Sequence, residues 1–383
     1  MRTLAATAVF LLALPCVRAA DADQPNTLTP AEIADGWILL FDGKTTFGWK
    51  AEGEANVQDA SLVLGGKTAT RAISTTEFGN CEIRLEYKGR MQMAFDADGS
   101  TAALGAVSPS AWQTWHAKVQ FDAAKSSGGV SFTSKVAHQV EMDVTYKCDH
   151  LRFRLEVPAG EQVSLRNIKL KPQGLKPLFN GKDLTGWKVF PGRKSQFTVT
   201  PEGWIHVKNG PGDLQTEGQW DDFVLQIDCL TNGDRLNSGV FFRCRPNEYQ
   251  NGYEAQIHNG FTAEPTKEYT LEEYDPNTHQ LMGKKKAKYT AIDYGTGAIY
   301  RRIPARFQAA KDRDWFTMTV IARGNHIATW VNGIQMVDWT DNRPPSENAR
   351  NGCKLGKGPI SLQGHDPTTD LNFRNIRLGE FPK

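Results

Sequence analysis

The stretch Phe223-Val-Leu-Gln-Ile-Asp-Cys229 alternates apolar and polar residues, the pattern of a β-strand with one buried face. The turn-forming segment Thr231-Asn-Gly-Asp-Arg235 follows it, and the chain returns as Ser238-Gly-Val-Phe-Phe-Arg-Cys244. Short alternating segments bounded by Gly, Asn, Asp and Pro recur along the chain, whereas long helical periodicity is almost absent. The sequence therefore predicts an all-β sandwich.

Two phrases of this sequence occur twice. Leu40-Phe-Asp-Gly-Lys-Thr-Thr-Phe-Gly-Trp-Lys50 returns as Leu178-Phe-Asn-Gly-Lys-Asp-Leu-Thr-Gly-Trp-Lys188, with seven of eleven positions identical. Ser164-Leu-Arg-Asn-Ile-Lys-Leu170 returns as Asn372-Phe-Arg-Asn-Ile-Arg-Leu378. We expect an opening and a closing framework phrase in each of two tandem domains.

The repeats place these domains at 35–171 and 178–381, joined by a linker at 172–177. The linker is short, so we expect the domains to contact each other. The two openings are 138 positions apart and the two closings 208, so the second domain carries about 70 additional residues. We expect function in the domain that carries this surplus.

Residues 1–20 have the pattern of an export signal. Arg2 precedes an apolar run, and the small residues Ala19 and Ala20 follow it. We therefore expect a periplasmic or secreted protein. No other stretch approaches the roughly 20 apolar residues that a membrane helix needs, so no membrane span is predicted.

The charge balance excludes one class of partner. The chain has 45 Lys and Arg against 43 Asp and Glu, so no electrostatic attraction to nucleic acid is expected. The oligomeric state stays open.

The cysteines beyond residue 20 have no CxxC spacing, which argues against a zinc cluster. Cys229 and Cys244 lie on predicted successive strands. An oxidising compartment would permit a bridge between them, and buried thiols are the alternative.

The strongest candidate site follows from the two-residue period of β-strands. In Asn237-Ser-Gly-Val-Phe-Phe-Arg243 this period places Asn237 and Arg243 on one face. In Gly252-Tyr-Glu-Ala-Gln-Ile-His258 it places Glu254, Gln256 and His258 together, opposite an apolar row. A solvated outer face would also alternate, but a row of acid, amide and imidazole favours a binding surface.

Two further segments could complete this surface. Gly358-Pro-Ile-Ser-Leu-Gln-Gly-His-Asp366 contributes Gln363, His365 and Asp366. Gly297-Ala-Ile-Tyr-Arg-Arg302 lies in the surplus region, where Tyr300 could form a wall.

Together these motifs resemble the 3-keto-disaccharide hydrolase domain family, with six motifs in order over about 175–381. The resemblance implies two tandem concanavalin A-like jelly-roll β-sandwiches, a carbohydrate site on the concave face, and activity on glycosides oxidised at sugar C3. The first domain matches only the opening and closing phrases, so we expect it to be divergent and non-catalytic.

The implied chemistry assigns roles to the candidate residues. A ketone at C3 acidifies the C2 proton, so the glycosidic bond can break by elimination, followed by addition of water. That route needs a base, donors to the enolate oxygen and an acid for the leaving oxygen. The predicted roles are: base, Glu254 or His258; donors, Arg243 with Gln256; acid, His365; substrate binding, Asn237, Tyr300, Gln363 and Asp366.

Several alternatives remain open at this point. No cofactor is expected, although a divalent metal could polarise the ketone with His258, Glu254 and His365 as ligands. A non-catalytic lectin-like module would use the same face, and a purely structural sandwich would use none of it. The β-glucanase pattern Glu-x-Asp-x-x-Glu is incomplete, because Glu141-Met-Asp143 is followed by Tyr146.

Overall fold

The computed structural model describes residues 24–97, 100–107, 110–121, 129–136, 138–145, 150–289 and 294–381. The predicted export signal at 1–20 and Cys148 lie outside these ranges. Almost all regular structure in them is β. No helix in the described ranges is long and apolar enough to cross a membrane.

The first domain opens with a short helix, whose cap Thr29 exchanges hydrogen bonds with Glu32. Its elements in chain order are α1 (Pro30–Ala34), β1 (Ile38–Leu39), β2 (Trp49–Glu52), β3 (Ala55–Gln58), β4 (Ser61–Gly65), β5 (Thr70–Ser74), β6 (Cys81–Gly89), β7 (Met91–Ala97), β8 (Ser100–Val107), β9 (Gln113–Phe121), β10 (Gly129–Val136), β11 (His138–Thr145), β12 (Arg152–Val157) and β13 (Gln162–Pro172).

The second domain repeats this series and adds a hairpin, β22–β23, and a single 3₁₀ turn at Phe261–Ala263. Its strands are β14 (Lys176–Pro177), β15 (Trp187–Val189), β16 (Gln196–Val199), β17 (Ile205–Lys208), β18 (Gly212–Thr216), β19 (Phe223–Thr231), β20 (Ser238–Phe242), β21 (Tyr253–Ile257), β22 (Lys267–Tyr274), β23 (Leu281–Tyr289), β24 (Phe316–Arg323), β25 (His326–Val331), β26 (Ile334–Thr340), β27 (Ser361–Gly364) and β28 (Asp370–Glu380).

Each domain is a jelly-roll sandwich of an eight-stranded and a five-stranded antiparallel sheet. The large sheets have the orders β11-β10-β9-β6-β13-β4-β3 and β26-β25-β24-β19-β28-β17-β16, with β1 and β14 added beside β13 and β28. The small sheets have the orders β2-β5-β12-β7-β8 and β15-β18-β27-β20-β21. The strand orders correspond one to one, which confirms the predicted all-β fold of two tandem concanavalin A-like sandwiches.

The opening phrase serves as framework in both domains. The indole N–H of Trp49 donates to the Leu40 carbonyl at 2.6 Å, and that of Trp187 donates to the Leu178 carbonyl at 3.0 Å. Both rings are buried, so in each domain the opening phrase folds back and its first residue contacts its own tryptophan.

The closing phrase also has the same geometry twice. Asn167 and Asn375 have φ of 51° and 49°, in the left-handed region that Asn tolerates better than most residues. Each amide donates to a carboxylate on the neighbouring strand, from Asn167 to Glu86 at 3.0 Å and from Asn375 to Asp228 at 2.8 Å. The strand register shifts at these positions, so the phrase encodes a β-bulge.

The two domains share a packed interface. The indole of Trp330 is fully buried against the first domain and donates to the Leu39 carbonyl at 3.0 Å. The side-chain amide of Gln226 donates to the Gly36 carbonyl at 2.8 Å. Apolar side chains of the second domain extend the first domain's core: Val224, Ile321, Ala328 and Phe381. The expected contact between the domains is confirmed.

The predicted 172–177 linker is partly strand. Lys176 and Pro177 form β14, which pairs with Leu378 and Arg377 of β28. The chain therefore begins the second domain's large sheet before the opening phrase.

The suggested Cys229–Cys244 bridge is wrong. Cys229 lies in β19 of the large sheet and Cys244 follows β20 of the small sheet. Both are free thiols, as are the other described cysteines, Cys81 and Cys353. All four are buried, so the alternative of packed thiols holds.

Candidate functional site

The outer face of the second domain's five-stranded sheet carries a band of polar side chains. Strand pairing aligns one row across four strands, and the pairs are Gln215–Ser361, Ser361–Phe241 and Phe241–Glu254. Alternate residues of the same strands, such as Leu214, Val240, Ala255 and Leu362, point into the core. The sequence period therefore separates a core face from a polar face, as predicted.

A second row runs beside the first. Asp213 pairs with Gln363, and Gly239 pairs with Gln256. The Val240–Leu362 pair places Gly239 next to Gln363, so this row also crosses four strands.

Buried polar atoms on this face lack hydrogen-bond partners. Within the described residues, no partner atom lies within reach of Asp213 Oδ1, Gln363 Oε1, or either amide atom of Gln256. Asn237 Oδ1 is in the same condition, and His258 Nε2 makes no hydrogen bond to any described atom but lies 3.8 Å from Glu264 Oε1. A buried polar group without a partner costs roughly 1–3 kcal/mol. Such a concentration on one surface is typical of a site whose partners are supplied by a ligand and water.

Glu254 occupies space left by a glycine. It is 5% exposed, and a Cβ atom added at Gly239 would lie 2.6 Å from its Oε1. Gly239 has no unusual φ that would demand glycine, so its role here is to make room for the carboxylate. The sequence thus places Gly239, which has no side chain, beside the buried carboxylate of Glu254.

Asp213 is the second acid on this face, and its side chain is fully buried. Its Oδ2 accepts the backbone N–H of Gln250 at 2.8 Å. Burial raises the pKa of Asp213 to about 6, against the opposing effects of the Gln250 N–H, the Gln215 and Ser361 side chains and the nearby Arg193 charge. The carboxyl is therefore held in a desolvated position on the sheet.

Aromatic rings and guanidinium groups form the rim. The Arg193 guanidinium lies 3.8 Å from the centroid of the Tyr249 ring, and the Phe190 ring packs on the same tyrosine at 5.6 Å. On the other side, Arg350 lies 5.9 Å from the Phe241 ring and 6.0 Å from the Tyr300 ring.

The pKa of the Tyr249 hydroxyl is shifted by these surroundings. Burial and the negative charge of Asp213 raise the pKa of Tyr249 to about 12, while Arg193 and Arg350 oppose the rise. Tyr249 is therefore a neutral hydrogen-bonding group at neutral pH.

Part of the surplus region covers the edge strand of this sheet. The N–H of Gln256 donates to the Ala298 carbonyl, and the N–H of Tyr300 donates to the Glu254 carbonyl, both at 3.0 Å. Residues 297–300 thus line β21 and bring Tyr300 to the rim, as the sequence suggested.

The histidines predicted for the site lie at the ends of its strands. His258 directly follows β21, is 2% exposed, and has Nε2 3.8 Å from Glu264 Oε1. His365 directly follows β27 and is partly exposed, with Nδ1 2.8 Å from Asp366 Oδ2. Asp366 also accepts the N–H of Thr368 at 2.7 Å, so it organises the turn that carries His365.

Arg243 does not take the predicted place. Strand β20 ends at Phe242, and Arg243 has φ of 48°, so the alternation does not extend to it. Its fully buried guanidinium donates to the carbonyls of Asp221, Gly324 and Lys354 and pairs with Asp222 at 3.1 Å. Its role is structural, and the prediction that Arg243 donates to the enolate is wrong.

The alternative of a metal held by His258, Glu254 and His365 has no matching geometry. In the part of the chain that the structure describes, no group of three or more His, Cys, Asp or Glu side chains could hold a metal ion.

The same face of the first domain carries different chemistry. By ladder register, Arg71 stands where the second domain has Asp213, Arg154 where it has Ser361, and Glu156 where it has Gln363. Arg154 Nε donates to Glu156 at 3.0 Å, and Arg71 pairs with Asp96 at 2.9 Å. These side chains neutralise one another, which gives a physical reason for the divergence of the first domain.

Sequence reasoning missed Asp213, Gln215, Arg193, Tyr249 and Arg350. Gly212-Asp-Leu-Gln-Thr216 does alternate, and that signal could have identified the first two. The others come from loops, which carry no periodic signal.

The sequence model of the 3-keto-alpha-glucoside-1,2-lyase-like domain matches residues 36–144 and 174–379. The chain belongs to this family. In the first domain the match includes the opening phrase and continues to residue 144, before the closing phrase at 164–170. Membership places the protein among carbohydrate-active proteins. No curated protein matches the chain.

Solved structures similar to one domain of this chain include several from carbohydrate-related proteins. A protein described as a glycosyl hydrolase from Parabacteroides distasonis is 20% identical, covers 54% of this chain and 94% of its own, and has a TM-score of 0.40. The carbohydrate-binding module CBM66 from Bacillus subtilis is 14% identical, with coverages of 50% and 93% and a TM-score of 0.32. The Bacillus licheniformis β-glucanase is 15% identical, with coverages of 54% and 98% and a TM-score of 0.31.

Proposed function

We propose that the protein is an enzyme that cleaves 3-keto-glycosides or 3-keto-disaccharides on the outer face of the second domain's small sheet. The observation that carries this proposal is the row of buried, unpartnered polar atoms on Asp213, Gln363 and Gln256 beside the Glu254 carboxylate. Sugar hydroxyls are both donors and acceptors, so they can satisfy such a row. Family membership supports this reaction class.

The proposed chemistry begins at the proton on C2. Glu254 accepts this proton as the C2–H bond breaks, and the electron pair moves into the C2–C3 bond to leave an enolate at the C3 oxygen. The enolate then re-forms the ketone, a C1–C2 double bond forms and the C1–O bond breaks. The leaving oxygen takes a proton from the acid. The hydroxyl of a water adds to C1 while the other proton of that water restores the acid, and Glu254 returns a proton to C2, so the net reaction is hydrolysis.

The remaining roles follow from position. Gln256 lies next to Gly239 in the register and has an unpartnered amide N–H₂, so it is the proposed donor to the enolate oxygen. His365 is the proposed donor to the leaving oxygen; because Nδ1 bonds Asp366, we assign the proton transfer to Nε2. The register aligns Glu254 with Ser361, four residues before His365 on the chain. His365 therefore lies closer in the register to His258 than to Glu254. His258, buried at the end of β21, is the alternative base. Asn237 and Tyr300 are proposed to bind substrate.

The first experiment offers the purified protein 3-keto-trehalose and a 3-keto-β-glucoside beside the unoxidised sugars. We expect release of the aglycone from the keto forms alone. Binding of sugar without turnover would instead support the lectin-like module, and turnover of the unoxidised sugars would support an ordinary glycosidase.

Two variants test the base. Glu254→Gln preserves shape and removes the proton acceptor, so we expect a loss of 10²–10⁴-fold in kcat, the usual range for a general base. His206→Asn, which alters a His–Asp pair on the large sheet, is the matched control. Unchanged cleavage by Glu254→Gln would exclude Glu254 as base, and a large loss in His258→Asn would then assign that role to His258.

We further propose that residues 1–20 direct export to the periplasm or outside the cell, and that no resident cofactor takes part. Cell fractionation with sequencing of the mature N-terminus tests the first proposal. Retention of activity after dialysis against EDTA tests the second, and loss that a divalent metal restores would contradict it.

A further inference from the structure

The site has acidic groups at both ends. Glu254 lies on β21 and Asp213 on β18, and β20 and β27 run between them. Three strand spacings of about 4.8 Å separate the backbones by about 14 Å. The strand order therefore places the two carboxyl groups at opposite ends of the polar face. They are spaced to contact different parts of a longer ligand.

A continuous polar row joins the two ends. Asp213 Oδ1, Gln363 Oε1 and the Gln256 amide are all buried and unpartnered within the described residues, and they lie on strands β18, β27 and β21. Gly239, on the intervening strand β20, adds no side chain to this row. The unsatisfied surface therefore extends across the whole sheet and is not confined to the surroundings of Glu254.

The Asp213 end has its own donors and acceptors. The Gln250 N–H holds one carboxylate oxygen at 2.8 Å, and the Gln215 and Ser361 side chains lie beside the carboxyl. The other oxygen, Oδ1, has no hydrogen-bond partner at close range within the described residues. Arg193, stacked on the Tyr249 ring, adds a guanidinium near the same carboxylate. A carboxylate oxygen accepts two hydroxyl protons, and guanidinium donates to hydroxyl oxygens. This combination recognises neighbouring hydroxyl groups of a sugar ring.

We propose that Asp213, with Arg193 and Tyr249, forms the half of the site that binds the leaving group, and that it selects a hydroxylated leaving group over an apolar one. This inference rests on the proposed cleavage reaction and deepens it. The oxidised ring lies at Glu254 and Gln256, and the leaving sugar lies over Gln363 against Asp213. Asp213 is thus a specificity-determining residue.

The first domain supports this assignment by contrast. Arg71 replaces Asp213 in the corresponding register position and pairs with Asp96 at 2.9 Å. The domain without the other site residues also lacks the carboxyl, although it has the same strand order. A carboxyl required only by the fold would be expected in both.

The test compares two substrates of the same anomeric form, 3-keto-trehalose and phenyl 3-keto-α-glucoside, with wild type and Asp213→Asn. Asn keeps the acceptor for the Gln250 N–H but loses the charge. We expect kcat/KM for 3-keto-trehalose to fall 10–100-fold, mostly through KM, and kcat/KM for the phenyl glycoside to change less than threefold. Inhibition by glucose, the leaving sugar, should weaken by a similar factor. Asp370→Asn, on the exposed large-sheet surface, is the matched control.

The outcomes separate this inference from the reaction on which it rests. If wild type cleaves neither keto-glycoside, the proposed reaction fails. If wild type cleaves both and Asp213→Asn slows them equally, Asp213 acts in the chemistry or in the fold, and the selectivity role is overturned. No change with either substrate overturns it as well. Circular dichroism of each variant identifies misfolding, and Tyr249→Phe repeats the test without touching the Gln250 contact.

Discussion

Arg243 Nη2 lies 3.1 Å from Asp222 Oδ1, and the arginine side chain has no exposed surface. The same guanidinium also donates to three backbone carbonyls, and each buried acceptor that loses its partner costs roughly 1–3 kcal/mol. We therefore expect Arg243→Lys, which cannot keep the fork of donors, to lower the free energy of unfolding by about 3 kcal/mol. Urea denaturation measures this change.

The same variant distinguishes a structural from a catalytic Arg243. The folded fraction of Arg243→Lys should retain kcat within about threefold of wild type. A stable variant with a 100-fold lower kcat would show that Arg243 acts in catalysis.

Gly239→Ala tests the space occupied by Glu254. The new Cβ would lie 2.6 Å from Glu254 Oε1, so the carboxylate must move. A small displacement of a catalytic group can cost about 10²-fold in rate, and we expect a loss of 10–100-fold in kcat for a 3-keto-glycoside. Gly283→Ala, on the added hairpin, is the control, since no described atom lies within 4 Å of its Cβ. Equal activity of the two variants would contradict the role of Gly239.

The stability of the protein should depend on pH through Asp213. Its pKa rises from an ordinary value of 3.8 to about 6 in the folded state. Between these values the folded state keeps a proton that the unfolded chain has lost, so stability falls as pH rises from about 4 to about 6. The contribution is about 3 kcal/mol at most, at 1.36 kcal/mol for each pKa unit.

The pH effect is measured as the difference between wild type and Asp213→Asn in urea unfolding at pH 4, 5, 6 and 7. The wild type should lose stability relative to the variant over this range and then level off. A difference that is constant with pH would show that Asp213 has an ordinary pKa.

Two substitutions of Asn375, in the closing phrase, compare the effect of its hydrogen bond with that of its backbone conformation. Asn375 combines a φ of 49° with a 2.8 Å hydrogen bond to Asp228. Asn375→Gly removes only the hydrogen bond, whereas Asn375→Ala also strains the backbone. We expect losses of about 1 and about 2–3 kcal/mol in thermal or urea unfolding. Equal losses would mean that the conformation stores no strain.

The sequence predicts the parts of this molecule that depend on local pattern. Alternation places Glu254 and Gln256 on the polar side of β21, and the repeated phrases give the two-domain organisation. The pattern fails at Arg243 because the strand ends one residue earlier, and a turn residue no longer obeys a two-residue period.

Alternation could have placed Asp213 on a polar face, but not beside the other residues of the site. Asp213 and Gln363 are 150 positions apart, and only the ladder between β18 and β27 brings them together. Tyr249 and Arg193 come from two loops whose meeting depends on the packed sheets below. Long-range pairing of this kind is a property of the folded topology.

The contrast between the two small sheets predicts that a bound ligand raises the free energy of unfolding of the second domain. In the first domain the Arg71–Asp96 and Arg154–Glu156 pairs lie on this face, with Arg71 Nε unpartnered among the described atoms, whereas the second domain folds with several buried groups whose bonds are left unmade. A ligand that makes these bonds binds the folded state alone, so at 100 times its Kd it would add about 2.7 kcal/mol to the free energy of unfolding. If the proposed site is correct, the second domain should therefore be measurably more stable with substrate bound than without it.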